Sequence, residues 1–262
     1  MSAIIIDESV VHYEVLGRGY PVIFLHSWVG SWRYWIPCMQ SLSTGFRAYA
    51  LDLYGFGDTS KIPELYMMEK QVLLLNGFLE HMGINKVTFI GHGLGGIVGL
   101  YYSVDNPQVV DRLILVGLPI NLGLINPRLL SSSPKELANW LFNRSSEIKS
   151  AREDAAKTDS RVIQSTLGQI QRVNWRQLLL QTSVPSLWIY GQNDPLVAVP
   201  HEDLLSDLPE LGHWLIFEQS GHYPMLDEAR KFNRMLIDFL ALDSAESPRQ
   251  LQLKEEWKRR VR

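Results

Sequence analysis

The sequence is poor in cysteine and contains no long apolar run. Cys38 is the only cysteine in 262 residues, which excludes an intramolecular disulfide and is compatible with a reducing compartment. No stretch approaches the length of a transmembrane helix. The apolar run at residues 4–6 is followed by Asp7 and Glu8, so it is too short and too acidic for a signal peptide. These absences predict a soluble, cytoplasmic protein without an integral membrane segment.

The sequence also lacks a basic excess and the spacings of a metal site. Lys and Arg number 25 against 28 Asp and Glu, and the net charge of −3 argues against a nucleic-acid partner. The seven histidines are scattered, and neither a His-Glu-x-x-His pattern nor a paired-cysteine spacing occurs, so no metal and no cofactor is predicted. With 46% hydrophobic residues the chain can bury a large core, and its length suits one α/β domain.

One stretch, residues 87–100, combines a short apolar strand, a bend rich in glycine and an apolar helix. Small residues in such a bend let the strand and the helix approach each other closely. In one interpretation, Gly91, Gly93 and Gly96 form the Gly-x-Gly-x-x-Gly fingerprint of a dinucleotide site. That site needs an acidic residue at the end of the next strand. Residues 118–121, which follow that strand, contain none, so this interpretation is disfavoured.

In the other interpretation, the same bend is a nucleophile elbow, in which Gly-x-Ser-x-Gly presents a catalytic serine at the apex. The apex residue of this chain is Gly93, so the frame of the elbow is present and the nucleophile is absent. Removal of the nucleophile from a catalytic triad reduces turnover on the order of a millionfold. The sequence therefore disfavours ordinary ester hydrolysis through an acyl-enzyme.

Along the chain, apolar strands alternate with helical segments, which predicts a doubly wound, mostly parallel α/β sheet. Besides the strand of the elbow, strands are predicted at residues 3–6, 10–16, 21–26, 46–53, 111–118, 185–191 and 213–218, and helices at 66–82 and 224–242. Residues 120–180 break the alternation and are predicted to form a small helical cap insertion in a core of residues 1–119 and 181–242. Residues 243–262 are predicted to be a solvated basic tail, with contact to a protein partner or a surface as the alternative.

Five short segments occur in an order and spacing that resemble the α/β-hydrolase superfamily over nearly the whole chain except the tail. They are residues 26–28, 52–57, 91–96, 191–197 and 220–224. The resemblance implies the α/β-hydrolase fold, with Asp194 as the acid and His222 as the base of a triad. The carboxylate in such a triad holds the imidazole in the required tautomer and stabilises its charged form. Asp52 and Asp58 are expected to hold loop backbone rather than to take part in chemistry.

The same resemblance implies an oxyanion hole made by the backbone N–H groups of Leu94 and Trp28. The residues His26, Ser27 and His92 are expected at the pocket. Ser27 stands where the family usually has a glycine, and this exchange could change the direction of the Trp28 N–H.

No residue is predicted to replace the missing hydroxyl. The side chains of His92 and Leu94, which flank the apex, are expected to point away from the site. Cys38 is expected to be a small buried apolar residue within a helix. Nothing in the sequence places Ser27 in line with His222.

Three hypotheses of function remain open. In the first, Asp194 and His222 act as a general base on a small apolar substrate, without a covalent step. In the second, the chain is a non-catalytic pseudo-hydrolase that binds a ligand or a partner. In the third, Gly93 is an engineered or accidental change in a serine esterase. The aromatic loop at residues 28–35 predicts a largely apolar pocket.

Overall fold

Eight strands form one sheet in the computed structural model, which describes residues 2–142, 148–201, 203, 208, 211–243 and 248–251. The strands are β1 (Ser2–Ile6), β2 (Ser9–Gly17), β3 (Tyr20–Leu25), β4 (Phe46–Leu51), β5 (Val87–His92), β6 (Val110–Val116), β7 (Ser186–Gly191) and β8 (Gly212–Phe217). Their order across the sheet is β1-β2-β4-β3-β5-β6-β7-β8. The β1–β2 and β2–β4 pairs are antiparallel and every other pair is parallel, which confirms the predicted mostly parallel sheet.

Helices follow most of the parallel strands. In the described residues they are α1 (Ile36–Leu42), α2 (Met68–Met82), α3 (Leu94–Asp105), α4 (Arg128–Ser131), α5 (Pro134–Leu141), α6 (Lys149–Ala155), α7 (Ser160–Ile170), α8 (Trp175–Leu180), α9 (Pro224–Asp227) and α10 (Ala229–Leu240). The helix predicted at residues 66–82 begins two residues later because Met67 has extended backbone, and it ends before Gly83 at φ 64°. The helix predicted at residues 224–242 is two helices, because the backbone leaves helical geometry at Glu228.

The elbow depends on close contact between α3 and the sheet. Every residue of β5 is buried, as expected for a central parallel strand covered on both faces. A β-carbon on Gly91 would lie 2.5 Å from backbone atoms of Gly96, and one on Gly95 would lie 2.5 Å from the Leu25 carbonyl oxygen. These glycines therefore allow the approach that the sequence predicts.

Helices α4 to α8 lie between β6 and β7, in the segment where a helical cap insertion is predicted. Among them, α7 contributes two buried residues that contact loops after β3 and β4: Thr166 accepts the Trp28 indole N–H, and Val162 lies against Gly55. The predicted basic tail falls largely outside the described residues. In the described part of the chain, no helix combines the length and the apolar character needed to cross a membrane. The predicted cytoplasmic location stays a prediction.

Candidate active site

Gly93 forms the sharp apex between β5 and α3. Its backbone has φ 48° and ψ −111°, a left-handed geometry that suits glycine and strains other residues. The Gly93 N–H donates to the Val116 carbonyl oxygen at 2.9 Å, which fixes the apex against the neighbouring strand. A β-carbon at Gly93 would lie 2.4 Å from Ser27 Oγ and 3.3 Å from an indole carbon of Trp28. The place where an apex side chain would begin is thus filled by the Ser27 hydroxyl.

Asp194 and His222 meet at the same edge of the sheet, in the loops that follow β7 and β8. His222 Nδ1 lies 2.9 Å from Asp194 Oδ2, and both side chains are buried. The other carboxylate oxygen of Asp194 accepts the backbone N–H groups of Leu196 at 2.8 Å and Val197 at 3.1 Å. These bonds fix the carboxylate, so His222 donates Nδ1–H and directs Nε2 toward the apex as an acceptor.

Ser27 reaches this dyad, a contact that nothing in the sequence indicated. Its Oγ lies 3.4 Å from His222 Nε2, a separation of 195 residues along the chain. The sequence alone does not show this contact, because the loops after β3 and β8 converge only when both strands end at one edge of a parallel sheet. The sequence did carry a signal. Glycine stands at the elbow apex where the motif has serine, and serine stands beside His26 where the family usually has glycine.

The backbone of Ser27 is held from two sides. Its N–H donates to Tyr34 Oη at 2.9 Å, and its carbonyl oxygen lies 2.8 Å from His26 Nδ1. His26 Nε2 accepts the Leu53 N–H at 3.0 Å, so the imidazole proton is on Nδ1 and is donated to Ser27. Burial lowers the pKa of His26, which favours this neutral form.

His92 faces the site instead of pointing away from it. Its ring centroid lies 4.4 Å from that of His222, and its Nδ1 lies 3.1 Å from Tyr34 Oη. The prediction failed because the last residue of β5 still alternates across the sheet and directs its side chain toward the loop that follows β8. Burial, and secondarily His222, lower the pKa of His92 well below its ordinary value. The His92 imidazole is therefore neutral and packs against the His222 ring.

Trp28 connects the apex to the helical insertion. Its indole is fully buried, contacts the position of a Gly93 β-carbon, and donates Nε1–H to Thr166 Oγ1 on α7 at 2.9 Å. Leu94 is the first residue of α3, so its N–H has no acceptor within the helix and lies at the positive end of the helix dipole. The oxyanion roles of the Trp28 and Leu94 N–H groups stay predictions.

Asp52 holds loop backbone, as predicted, and its partners include a histidine that the sequence did not suggest. Its carboxylate accepts the N–H groups of Trp32 at 2.9 Å and Asp58 at 3.1 Å, and lies 2.8 Å from His12 Nδ1. Within the part of the chain that the structure describes, the Asp58 carboxylate accepts no backbone N–H, and it lies 3.7 Å from Lys157 Nζ. His12, Asp52 and Asp58 bring three potential metal ligands within 4.8 Å, but both Asp52 oxygens already accept hydrogen bonds. Cys38 is fully buried, as predicted.

Comparison with known proteins agrees with this architecture. The profile of the alpha/beta hydrolase fold family matches residues 20–146. A 2-hydroxy-6-oxo-6-(2'-aminophenyl)hexa-2,4-dienoic acid hydrolase of Metapseudomonas resinovorans is 26% identical, over 87% of this chain and 87% of its own length. A pimeloyl-[acyl-carrier protein] methyl ester esterase of Vibrio cholerae is 24% identical, over 87% of this chain and 97% of its own length. The crystal structure of a hydrolase from Pseudomonas aeruginosa superposes with a TM-score of 0.81 at 19% identity, covering 92% of this chain and 98% of that one. This chain is therefore a protein of the α/β-hydrolase fold.

Proposed function

We propose that the protein hydrolyses a small apolar ester, with His222 as general base and Asp194 as the carboxylate that holds it. The observation that carries this proposal is the 2.9 Å contact between His222 Nδ1 and Asp194 Oδ2, which leaves Nε2 directed at the elbow apex. The choice of an ester is supported by the similar chains named above, one a hydrolase and one a methyl ester esterase.

The proposed chemistry begins with proton transfer to His222 Nε2 from the hydroxyl group that attacks the substrate carbonyl. Asp194 stabilises the imidazolium that forms and keeps the ring in its orientation. Negative charge develops on the carbonyl oxygen. We assign its stabilisation to the N–H groups of Leu94 and Trp28, the first of which also carries the positive end of the α3 dipole.

The surroundings of the dyad support an apolar substrate that enters through the insertion. Tyr223 stacks on Phe142 at a centroid distance of 4.2 Å and meets Tyr34 edge-on at 5.3 Å. The hydrogen bond from Trp28 to Thr166 joins the loop after β3 to α7 of the insertion. Because Ser27 and His222 are 0% and 3% exposed, substrate entry requires this contact to open, as lids of many enzymes do.

The test is turnover of a panel of short- and medium-chain aryl esters. We expect the substitution His222→Ala to reduce kcat/KM by roughly 10⁴-fold or more, and Asp194→Asn by roughly 10⁴-fold. The matched control is His201→Ala, because His201 forms an exposed pair with Asp203 at 3.0 Å, and we expect it to leave turnover unchanged. Turnover that survives His222→Ala would overturn the proposal.

A second function, that of a non-catalytic binder, is favoured by one observation. The Trp28 indole fills the space above the apex and closes the site. Thermal stabilisation by the same aryl esters, without turnover and unaffected by His222→Ala, would support binding alone. The third hypothesis, an inactivated serine esterase, is disfavoured because loss of an apex side chain would leave a void at Gly93. Ser27 Oγ occupies that space.

A further inference from the structure

The Ser27 hydroxyl has the position and the partner of an elbow nucleophile, although it comes from a different loop. Ser27 Oγ lies 2.4 Å from where a Gly93 β-carbon would stand, so it occupies the volume of an apex side chain. From there it lies 3.4 Å from Nε2 of His222, whose Nδ1–H is donated to Asp194. Contacts between a nucleophile and its base are often this long without substrate and shorten when substrate binds.

We propose that Ser27 is the nucleophile of this protein and forms an acyl-enzyme on its Oγ. The inference rests on the proposed function, since it names the hydroxyl group from which His222 removes the proton. It replaces the first hypothesis from the sequence, in which the dyad acts without a covalent step.

The groups that contact the Ser27 backbone fix its position and are themselves uncharged. Tyr34 Oη and His26 Nδ1 hold its N–H and carbonyl groups, and this fixes the origin of the side chain. Burial raises the pKa of Tyr34 well above its ordinary value and lowers those of His26 and His92, so all three are neutral near pH 7. The positive charge that develops on proton transfer therefore lies on the His222 imidazolium, next to the Asp194 carboxylate.

The reaction balances in two half-reactions. Ser27 Oγ bonds to the ester carbonyl carbon while its proton passes to His222 Nε2. The carbon–oxygen bond to the alcohol then breaks, and the alcohol leaves with the proton from His222. Water next attacks the acyl group and gives a proton to His222. Cleavage of the bond to Oγ releases the carboxylic acid and returns that proton to Ser27.

The experiment treats the full chain with an aryl phosphonate, measures intact mass, and maps the modified peptide. We expect one adduct per chain, on the peptide that contains Ser27. The substitution Ser27→Ala should abolish the adduct and reduce ester turnover by roughly 10⁴-fold or more. Ser103→Ala is the matched control, because Ser103 is also buried but donates to the Leu100 carbonyl oxygen within α3, and it should behave as the unaltered chain does.

A second variant tests the assignment independently, in case Ser27→Ala fails to fold. The substitution Ser27→Cys replaces the hydroxyl with a slightly larger thiol, and alkylation of that thiol by iodoacetamide reports on the base. Adding His222→Ala to that variant should slow alkylation roughly tenfold or more, because a neighbouring histidine promotes the thiolate. Equal rates would overturn the assignment.

The outcomes separate the two proposals. Turnover lost in His222→Ala but kept in Ser27→Ala would overturn the inference and leave the proposed function standing, with water as the attacking group. An adduct on Ser27 together with turnover independent of His222 would overturn the proposed function. An adduct on another residue would overturn the inference. The absence of both adduct and turnover would overturn both.

Discussion

Introducing the serine that the elbow motif lacks should destabilise this protein. In Gly93→Ser, the new side chain would sit at φ 48° and ψ −111°, and such backbone strain costs about 1–3 kcal/mol for residues other than glycine. Its β-carbon would also lie 2.4 Å from Ser27 Oγ, and such overpacking adds about 1–3 kcal/mol unless Ser27 rotates. We expect the free energy of unfolding to fall by roughly 2–6 kcal/mol.

The two contributions can be separated with one control and one double variant. Gly83→Ser introduces a serine at φ 64° with nothing within 4 Å of its β-carbon, so it carries backbone strain without a clash. Ser27→Gly removes the hydroxyl that Gly93→Ser would meet. The double variant Ser27→Gly/Gly93→Ser should therefore be about 1–3 kcal/mol more stable than additivity of the single changes predicts.

Urea unfolding of the four variants and the unaltered chain measures these differences, and each kcal/mol should shift the melting temperature by roughly 2–4 °C. Two results would refute the reasoning. One is a Gly93→Ser variant that loses no more stability than Gly83→Ser. The other is a double variant whose stability equals the sum of its parts, since this would mean that Ser27 and the apex do not share the same space.

Further predictions concern residues around the site and in the core. Asp52→Asn should lower the free energy of unfolding by about 3–5 kcal/mol in urea titrations, because it breaks a buried, hydrogen-bonded pair with His12. Asp58→Asn, at an exposed carboxylate, should change it by less than about 1 kcal/mol. Burial lowers the pKa of His12, but the hydrogen bond and charge of Asp52 outweigh this and raise it above 6.5. The stability that His12 contributes should thus be present below pH 6.5 and lost as the pH rises through the raised pKa. The free energy of unfolding of the unaltered chain should therefore approach that of His12→Gln at high pH, and a difference between the two that grows with pH would contradict this. Cys38 is fully buried, and burial raises the pKa of its thiol, so a disulfide reagent should react with it only after unfolding. Prompt reaction of the folded chain would show that the thiol is accessible. Trp28→Ala should lower stability by about 3–5 kcal/mol and admit bulkier aryl esters, and an unchanged substrate range would show that the indole does not close the site.

Most of the fold could be predicted from the sequence because its signals are local. Continuous apolar runs gave the parallel strands, and the glycines of the elbow indicated the close contact between β5 and α3. The break at Glu228 was not predicted, because the apolar pattern of residues 224–242 continues through it and only the backbone angles show the interruption.

The candidate site was predictable where each residue follows a strand in a recognisable motif. Asp194 and His222 each end a strand–loop unit, and the parallel sheet then brings them to one edge. The partners of Ser27 and His92 were not predictable, because their side-chain directions depend on packing between loops that are far apart in the chain. Ser27 and His222 are 195 residues apart, and a contact over such a separation produces no local pattern in the sequence from which it could be predicted.

The exchange of a glycine and a serine has a physical rationale in the backbone. A side chain at the apex must accept the strained geometry of Gly93, which only glycine adopts without cost. In the described residues, the positive φ angles outside glycine are confined to Asp7 and Glu8, so Ser27 presents its hydroxyl from unstrained backbone. The hydroxyl, the imidazole and the carboxylate are nevertheless within contact of one another. A site arranged in this way keeps the base and the hydroxyl together while it avoids about 1–3 kcal/mol of strain at the apex.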